Sequence, residues 1–204
     1  MGYSTDFIGS FTVSPPLNER EREFLHKFNQ TRRMDREQGP YYVDDPAPFG
    51  QGREGVRDFN KPPKGQPGLW CQWAPSDDGT EILWDGGEKA YDMADWIVYI
   101  IEHFLKPGAK AKDALPFLQC NHSVNGTVIA QGEDPGDRWK ILIVDNEVEV
   151  ITDLDDQLSA VGELRAKGYA VVVFTLEELG GMPAKDLESA LAEFGIATLE
   201  GHRG

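Results

Sequence analysis

Apolar positions along this chain recur at two spacings, and the switch between them marks out its elements. The clearest alternation lies in the stretch GQPGLWCQWAPSDDGTEILWDGG, residues 65–87, which holds three of the five tryptophans. Strand-forming residues run over 69–74 and again over 81–84, separated by Pro75-Ser76-Asp77-Asp78-Gly79, where every position favours a turn. This predicts a β-hairpin. Side chains alternate across a strand, so Leu69, Cys71 and Trp73 share one face and Trp70, Gln72 and Ala74 the other. Tryptophan on both faces leaves two readings: a central strand covered on both sides, or a strand with one face lining a ligand groove.

The remaining elements follow from the same spacings. A strand is predicted over residues 3–13, ended by Pro15-Pro16. Asn18 then caps a helix, and Glu21 three positions on completes a capping-box pattern, with Phe24, Leu25 and Phe28 as the apolar stripe. Asp92 caps a second helix that stops at Lys106-Pro107-Gly108. Its face of Met93, Trp96, Ile97, Ile100, Ile101 and Phe104 is broad enough to lie across a sheet as the main core helix. A meander follows: a strand over 117–124, a tight turn at Asn125-Gly126, a return over 127–131, a strongly apolar strand over 139–144, a turn at Asp145-Asn146, and a return over 148–151. Beyond residue 152 the pattern predicts a helix ending at Gly168, a buried strand over 169–174, a helix opened by Pro183 and closed by Gly195, and a last strand over 196–199.

The expected fold class is therefore α+β. An antiparallel sheet, hairpin plus meander, packs on two helices in residues 1–152, and residues 153–204 form a small C-terminal αβαβ appendage that docks on the first module or on a second copy of the chain. Between the first helix and the hairpin, residues 35–67 show no sustained period and are broken repeatedly by proline and glycine. A loop this long is either a functional flap or a disordered insert, and Tyr41, Tyr42, Phe49 and Phe59 favour packing onto the body.

Composition narrows the function classes. A net charge of −15 argues against wrapping a phosphate backbone, so nucleic acid is not an expected partner. No apolar stretch is long enough to cross a bilayer, and the N-terminus lacks the pattern of a signal peptide, so no membrane partner and a cytoplasmic location are expected. Two cysteines are too few for a disulfide framework and read as reduced thiols.

Candidate chemistry is sparse, and no catalytic residue is assigned. Arg32, Arg33 and Arg36 close the first helix, where they suit the negative end of its dipole or, alternatively, form an anion site. Gly50-Gln51-Gly52-Arg53-Glu54-Gly55 follows no strand and opens no apolar helix, so it is not a dinucleotide fingerprint. Cys120 and His122, even with Cys71, need a further ligand to hold zinc, so neither a metal nor a cofactor is expected. Glu133, Asp134 and Asp137 beside Arg138 form either a solvated turn or a site for a hard cation or acid–base chemistry. Asp153, Asp155 and Asp156 are explained as first-turn helix charges, and His103 as a boundary residue. The candidate ligand or partner site gathers Trp70, Trp73 and Trp84 of the hairpin with Arg32, Arg33, Asp85, Glu88, Glu133 and Asp137 around the loop 35–67.

The strings GQPGLWCQW, WDGGEK and GEDPGDRW resemble a group of uncharacterised actinobacterial and phage-encoded proteins, whose members also open with something like MGYSTDFIGS and carry a TRRM segment, here Thr31-Arg32-Arg33-Met34. The resemblance covers about three quarters of the chain. The tail, VVVFTLEELGG followed by DLESALAEFGI, is similar to another short uncharacterised segment of phage proteins. These resemblances imply no activity. Together with the absence of a complete catalytic constellation they favour a non-enzymatic phage or prophage accessory protein that binds a protein partner of unknown identity. The alternative is a small-ligand binder or enzyme using the site above.

Overall fold

The computed structural model describes residues 4–152 apart from position 135. The predicted C-terminal unit, with Asp153, Asp155 and Asp156, lies outside the described residues. The strands are β1 (Thr5–Ser14), β2 (Asp35–Arg36), β3 (Val56–Asp58), β4 (Trp73–Pro75), β5 (Glu81–Trp84), β6 (Ser123–Gly132), β7 (Arg138–Val144) and β8 (Glu147–Ile151), and the helices are α1 (Glu19–Gln30) and α2 (Met93–Ile100). Six strands form one antiparallel sheet in the order β4-β5-β1-β6-β7-β8, and β2 and β3 form a separate ribbon. The architecture is α+β, as the periodicities predict.

The core follows from the alternation. β1 buries Phe7, Phe11 and Val13. Their partners across the ladder in β6 are Ala130, Gly126 and Val124, and β7 adds Ile141 and Ile143. Against this face lie Phe24, Leu25 and Phe28 of α1 and Met93, Trp96, Ile97 and Ile100 of α2, all buried. Aromatic rings join the layers: Phe11 meets Trp73 at 5.3 Å, and Phe28 meets Phe104 at 5.1 Å and Trp96 at 6.1 Å. The capping box of α1 is complete, with the Glu21 N–H donating to Asn18 Oδ1 and the Asn18 N–H to Glu21 Oε2, each at 3.0 Å.

Several predicted elements are revised. The hairpin strand over 69–74 contracts to β4, where Trp73 pairs with Trp84 and Pro75 with Ile82; Pro75 belongs to the strand and not to the turn. Among the described residues β4 ends the sheet, so there it is an edge strand and not a central one. Pro75, which has no N–H to donate, is tolerated there for that reason. Asn125-Gly126 is not a turn but the middle of β6, which begins only at Ser123. Its backbone is held on both sides, by Thr12 and Phe11 of β1 and, for Gly126, by Ile143 of β7. Gly126 has φ 137, and a Cβ there would stand 2.9 Å from the Ser10 carbonyl oxygen. The glycine thus serves the close approach of two central strands. The tight turn of the meander falls instead at Asp145-Asn146, with φ 48 and 72, as a primed turn requires.

The helix ends differ too. α1 stops at Gln30 and Thr31 is extended, so Lys27 is the only cation of its last turn and the three arginines lie beyond it. Asp92 precedes α2 at φ 54 and its side chain makes no capping bond. α2 continues as a π-helical turn, Ile101–Leu105, that buries Phe104 and Leu105. No helix among the described residues is long and apolar enough to cross a membrane.

Candidate functional site

The arginines explain why the long loop is ordered. Arg33 is buried, lies 4.1 Å from the centre of the Phe28 ring, and donates to the carbonyls of Pro40 at 2.7 Å and Tyr42 at 3.0 Å. Desolvation lowers its pKa to about 10, so it stays charged at neutral pH. Arg36 pairs with Asp45 at 2.7 Å, both side chains only 3% exposed, and donates to the Gly50 carbonyl at 2.5 Å. Asp45 also accepts from the N–H groups of Ala47 and Gly52, each at 2.9 Å. Burial pushes this carboxyl up, but those two N–H groups and Arg36 outweigh it and hold Asp45 below the ordinary carboxylate value. Arg32 stacks over Phe59 at 4.6 Å and sits 5.7 Å from the Trp70 ring. The arginines are therefore loop anchors and ring supports.

What these anchors hold out is Phe49. Its backbone has φ 56 and ψ 24, a left-handed conformation that a bulky residue rarely adopts. The Arg32 N–H donates to its carbonyl at 3.0 Å, and Arg36 holds the next residue, Gly50. Yet Phe49 is 71% exposed. Tyr41 and Phe59 pack as the loop composition implies; Phe49 does not.

Phe49 stands between two open depressions. One, of about 650 Å³, is bounded by Lys27, Thr31, Val43, Asp44 and Pro48. The other, of about 520 Å³, is bounded by Asn29, Trp70, Gln72, Asp85, Glu88 and Tyr91. Gln30 and Phe49 line both. The far wall of the second is the segment after β5. The Asp85 N–H donates to the Gln72 carbonyl and the Gly87 N–H to Asp85 Oδ1, while Asn29 Nδ2 donates to Asp85 Oδ2 at 2.7 Å and to the Cys71 carbonyl at 3.0 Å. Gln72 Nε2 donates to the Glu88 carbonyl at 3.1 Å. Lys89 on this wall also has positive φ, 56, and Tyr91 is 63% exposed.

The predicted site residues separate into groups. Trp70, Asp85 and Glu88 come together in the second depression, with Arg32 behind Trp70. Trp73 is buried, its Nε1 donating to the Met93 carbonyl at 2.8 Å, and Arg33 is buried in the loop anchor. Trp84 packs against Phe7 at 5.7 Å, on the core side. Glu133 accepts from the Ser4 N–H, and Asp137 closes the β6–β7 turn through its backbone; neither lines a depression. Phe49, Tyr91, Asn29, Gln30, Gln72 and Lys89 were not singled out from the sequence as a site. The sequence signals that point to them are the face shared by Trp70 and Gln72, read above as the alternative groove face, and the proline and glycine bracketing of Phe49 in Pro46-Ala47-Pro48-Phe49-Gly50.

The arrangement offers aromatic faces, amides and one unengaged carboxylate. Both Asp85 oxygens accept internal hydrogen bonds, whereas among the described residues nothing engages the Glu88 side chain. Both cysteines are buried free thiols, with Cys71 pushed up by burial to about 12 and Cys120 raised as well, so neither is a ready nucleophile. Among the described residues no group of three or more His, Cys, Asp or Glu side chains is placed to hold a metal ion.

Two histidines are tuned in opposite senses away from the grooves. His103 stacks on Tyr99 at 3.9 Å, with its Nδ1 2.7 Å from the Tyr41 hydroxyl; desolvation, with Lys110 nearby, pushes it down to about 4. His122 is fully buried, its Nδ1 2.7 Å from the Pro15 carbonyl and its Nε2 3.3 Å from Glu21 Oε1. Burial lowers its pKa, but these two oxygen acceptors outweigh that and raise it. No family model, curated protein or solved structure matches the chain.

Proposed function

We propose that this protein is a non-enzymatic accessory factor, of the kind carried by phages and prophages, that acts by binding a partner protein across the two depressions flanking Phe49. The observation that carries this reading is Phe49 itself. A buried ion pair and a left-handed backbone together hold an aromatic ring in water. Backbone strain of this kind costs about 1–3 kcal/mol and persists where the surrounding structure over-determines it, commonly at binding sites. Exposed aromatic residues are also the side chains that anchor protein interfaces. The sequence resemblance described above agrees with this reading.

A second reading, a small-ligand site or enzyme, draws on the depression beside Trp70, whose 520 Å³ falls within the range of about 300–1,000 Å³ typical of ligand pockets. It is disfavoured by the internal use of both Asp85 oxygens and by the buried state of both thiols.

The test is affinity purification from a lysate of the host cells, comparing wild type with Phe49→Asn and Tyr91→Ser, with mass analysis of retained proteins and released small molecules. Partner binding predicts a protein retained by wild type and lost by both variants. Retention of a small molecule without a protein would replace this reading with the second.

A further inference from the structure

The two depressions share a ridge, and that geometry restricts what can lie in them. A compact ligand fills one hollow; only an elongated one contacts both sides of Phe49 and Gln30 at once. An extended peptide brings unpaired backbone N–H and C=O groups that need partners. The side-chain amides of Gln30 and Gln72 lie along its path, one on the ridge and one on the wall. The rings of Phe49, Trp70 and Tyr91 offer the kind of aromatic-lined surface on which polyproline-type segments dock, because such segments are already extended and lose little entropy on binding.

Charge selects further. In the second depression Asp85 and Glu88 stand against Lys89, and in the first Asp44 is tied to Lys27 at 3.4 Å. Of the four carboxylates that line the two depressions, Asp44, Asp45, Asp85 and Glu88, only Glu88 has no partner among the described residues. It sits in a hollow walled by Trp70 and Tyr91, whose ring faces attract cations. The whole chain carries −15, which repels anionic ligands at a distance.

We infer that the occupant is an extended, proline-containing segment of the partner that carries lysine or arginine. It lies across Phe49, its backbone meets Gln30 and Gln72, and one cationic side chain reaches Glu88 between Trp70 and Tyr91. This rests on the partner-binding reading above and names the chemistry of that partner.

The probes are fluorescein-labelled synthetic peptides in which proline alternates with lysine, glutamate or serine, titrated with the full chain and read by fluorescence anisotropy. The lysine peptide is expected to bind and the glutamate peptide not to. Phe49→Asn should weaken the lysine peptide by about tenfold or more, as loss of an interface anchor does. Glu88→Gln should weaken it by about three- to tenfold and leave any residual serine-peptide binding unchanged. Asn tolerates the left-handed backbone and position 49 is exposed, so the first variant keeps the fold; a thermal melt checks this. Equal binding of all peptides, an unaffected Glu88→Gln, or displacement of the lysine peptide by a neutral oligosaccharide would overturn the inference. If the lysine peptide fails while Phe49→Asn still loses a lysate protein, the peptide chemistry falls and partner binding stands. If both fail, both fall.

Discussion

At Phe49 stability and function are expected to oppose each other. Its left-handed backbone at φ 56 costs an L-residue about 1–2 kcal/mol, a cost that asparagine largely escapes. Phe49→Asn should therefore raise stability by on the order of 1 kcal/mol, which for a chain of this length is a thermal-midpoint gain of about 2–4 °C. Calorimetry of the variant checks this. A fall in midpoint would mean that the ring packs in the free protein. The histidines define a second residue-scale expectation. His122 is raised above its ordinary 6.5, so its contribution is fully present below 6.5 and lost as pH rises through the folded value. Its partner Glu21 is lowered from 4.5: burial pushes it up, but the His122, Gln119 and Asn18 hydrogen bonds prevail. Its contribution is present above 4.5 and lost as pH falls further. The pair thus stabilises most between about pH 4.5 and 6.5. His103, held down to about 4, acts the other way over the same window, because the unfolded chain takes up the proton first. Because the pair's contribution is constant across this window, His103 should make the wild-type midpoint fall as pH is lowered from 6.5 towards 4.5. The gap between wild type and His122→Gln should be widest between those limits and shrink as pH rises above 6.5. A gap independent of pH would show that folding leaves the His122 pKa unshifted.

At the scale of elements, α2 and its π-helical continuation carry the largest concentration of buried side chains, with Trp96, Ile97 and Phe104 fully buried. Trp96→Ala should cost about 3–5 kcal/mol, the usual range for emptying such a site. Trp96 Nε1 is buried and has no hydrogen-bond partner among the described residues, so Trp96→Phe loses none of the described bonds and should cost only about 1–2 kcal/mol. Denaturant titration of the two variants separates these values. Equal costs would mean that the indole nitrogen has a partner. The helix periods were readable in advance because an apolar stripe is a local property: every core position expected in α2 is buried. The turn at Asn125-Gly126 was not, since the same dipeptide serves a tight turn or a close strand crossing. The choice lay with β1 and β7, which hold its two sides.

For the molecule as a whole, the question is what the acidity contributes to binding. Around the grooves most acids already have partners, Asp44 with Lys27, Asp45 with Arg36 and Asp85 with Asn29, which leaves Glu88 as the free one among the described residues. Partner affinity should therefore fall by no more than about tenfold between roughly 50 and 200 mM salt, since one exposed ion pair contributes little and is readily screened. Binding measured across a salt series checks this. A loss of several hundredfold would bring forward an electrostatic mode, with nucleic-acid mimicry as its extreme form.

Local order was legible from residues 4–152 alone: the strands β1, β7 and β8, the α1 capping box, the buried face of α2 and the inward parity of Cys71 and Trp73 all follow from period and capping, which act over a few residues. The tertiary structure decided everything that depends on who neighbours whom. It made the tryptophan hairpin an edge, turned Arg33 and Arg36 from helix-end charges into buried anchors of the loop, buried His122 on Glu21, and set Phe49 out between two hollows. Sequence spacing states which side of an element a residue takes. It does not state which distant carbonyl, carboxylate or ring will meet that side when the chain closes on itself.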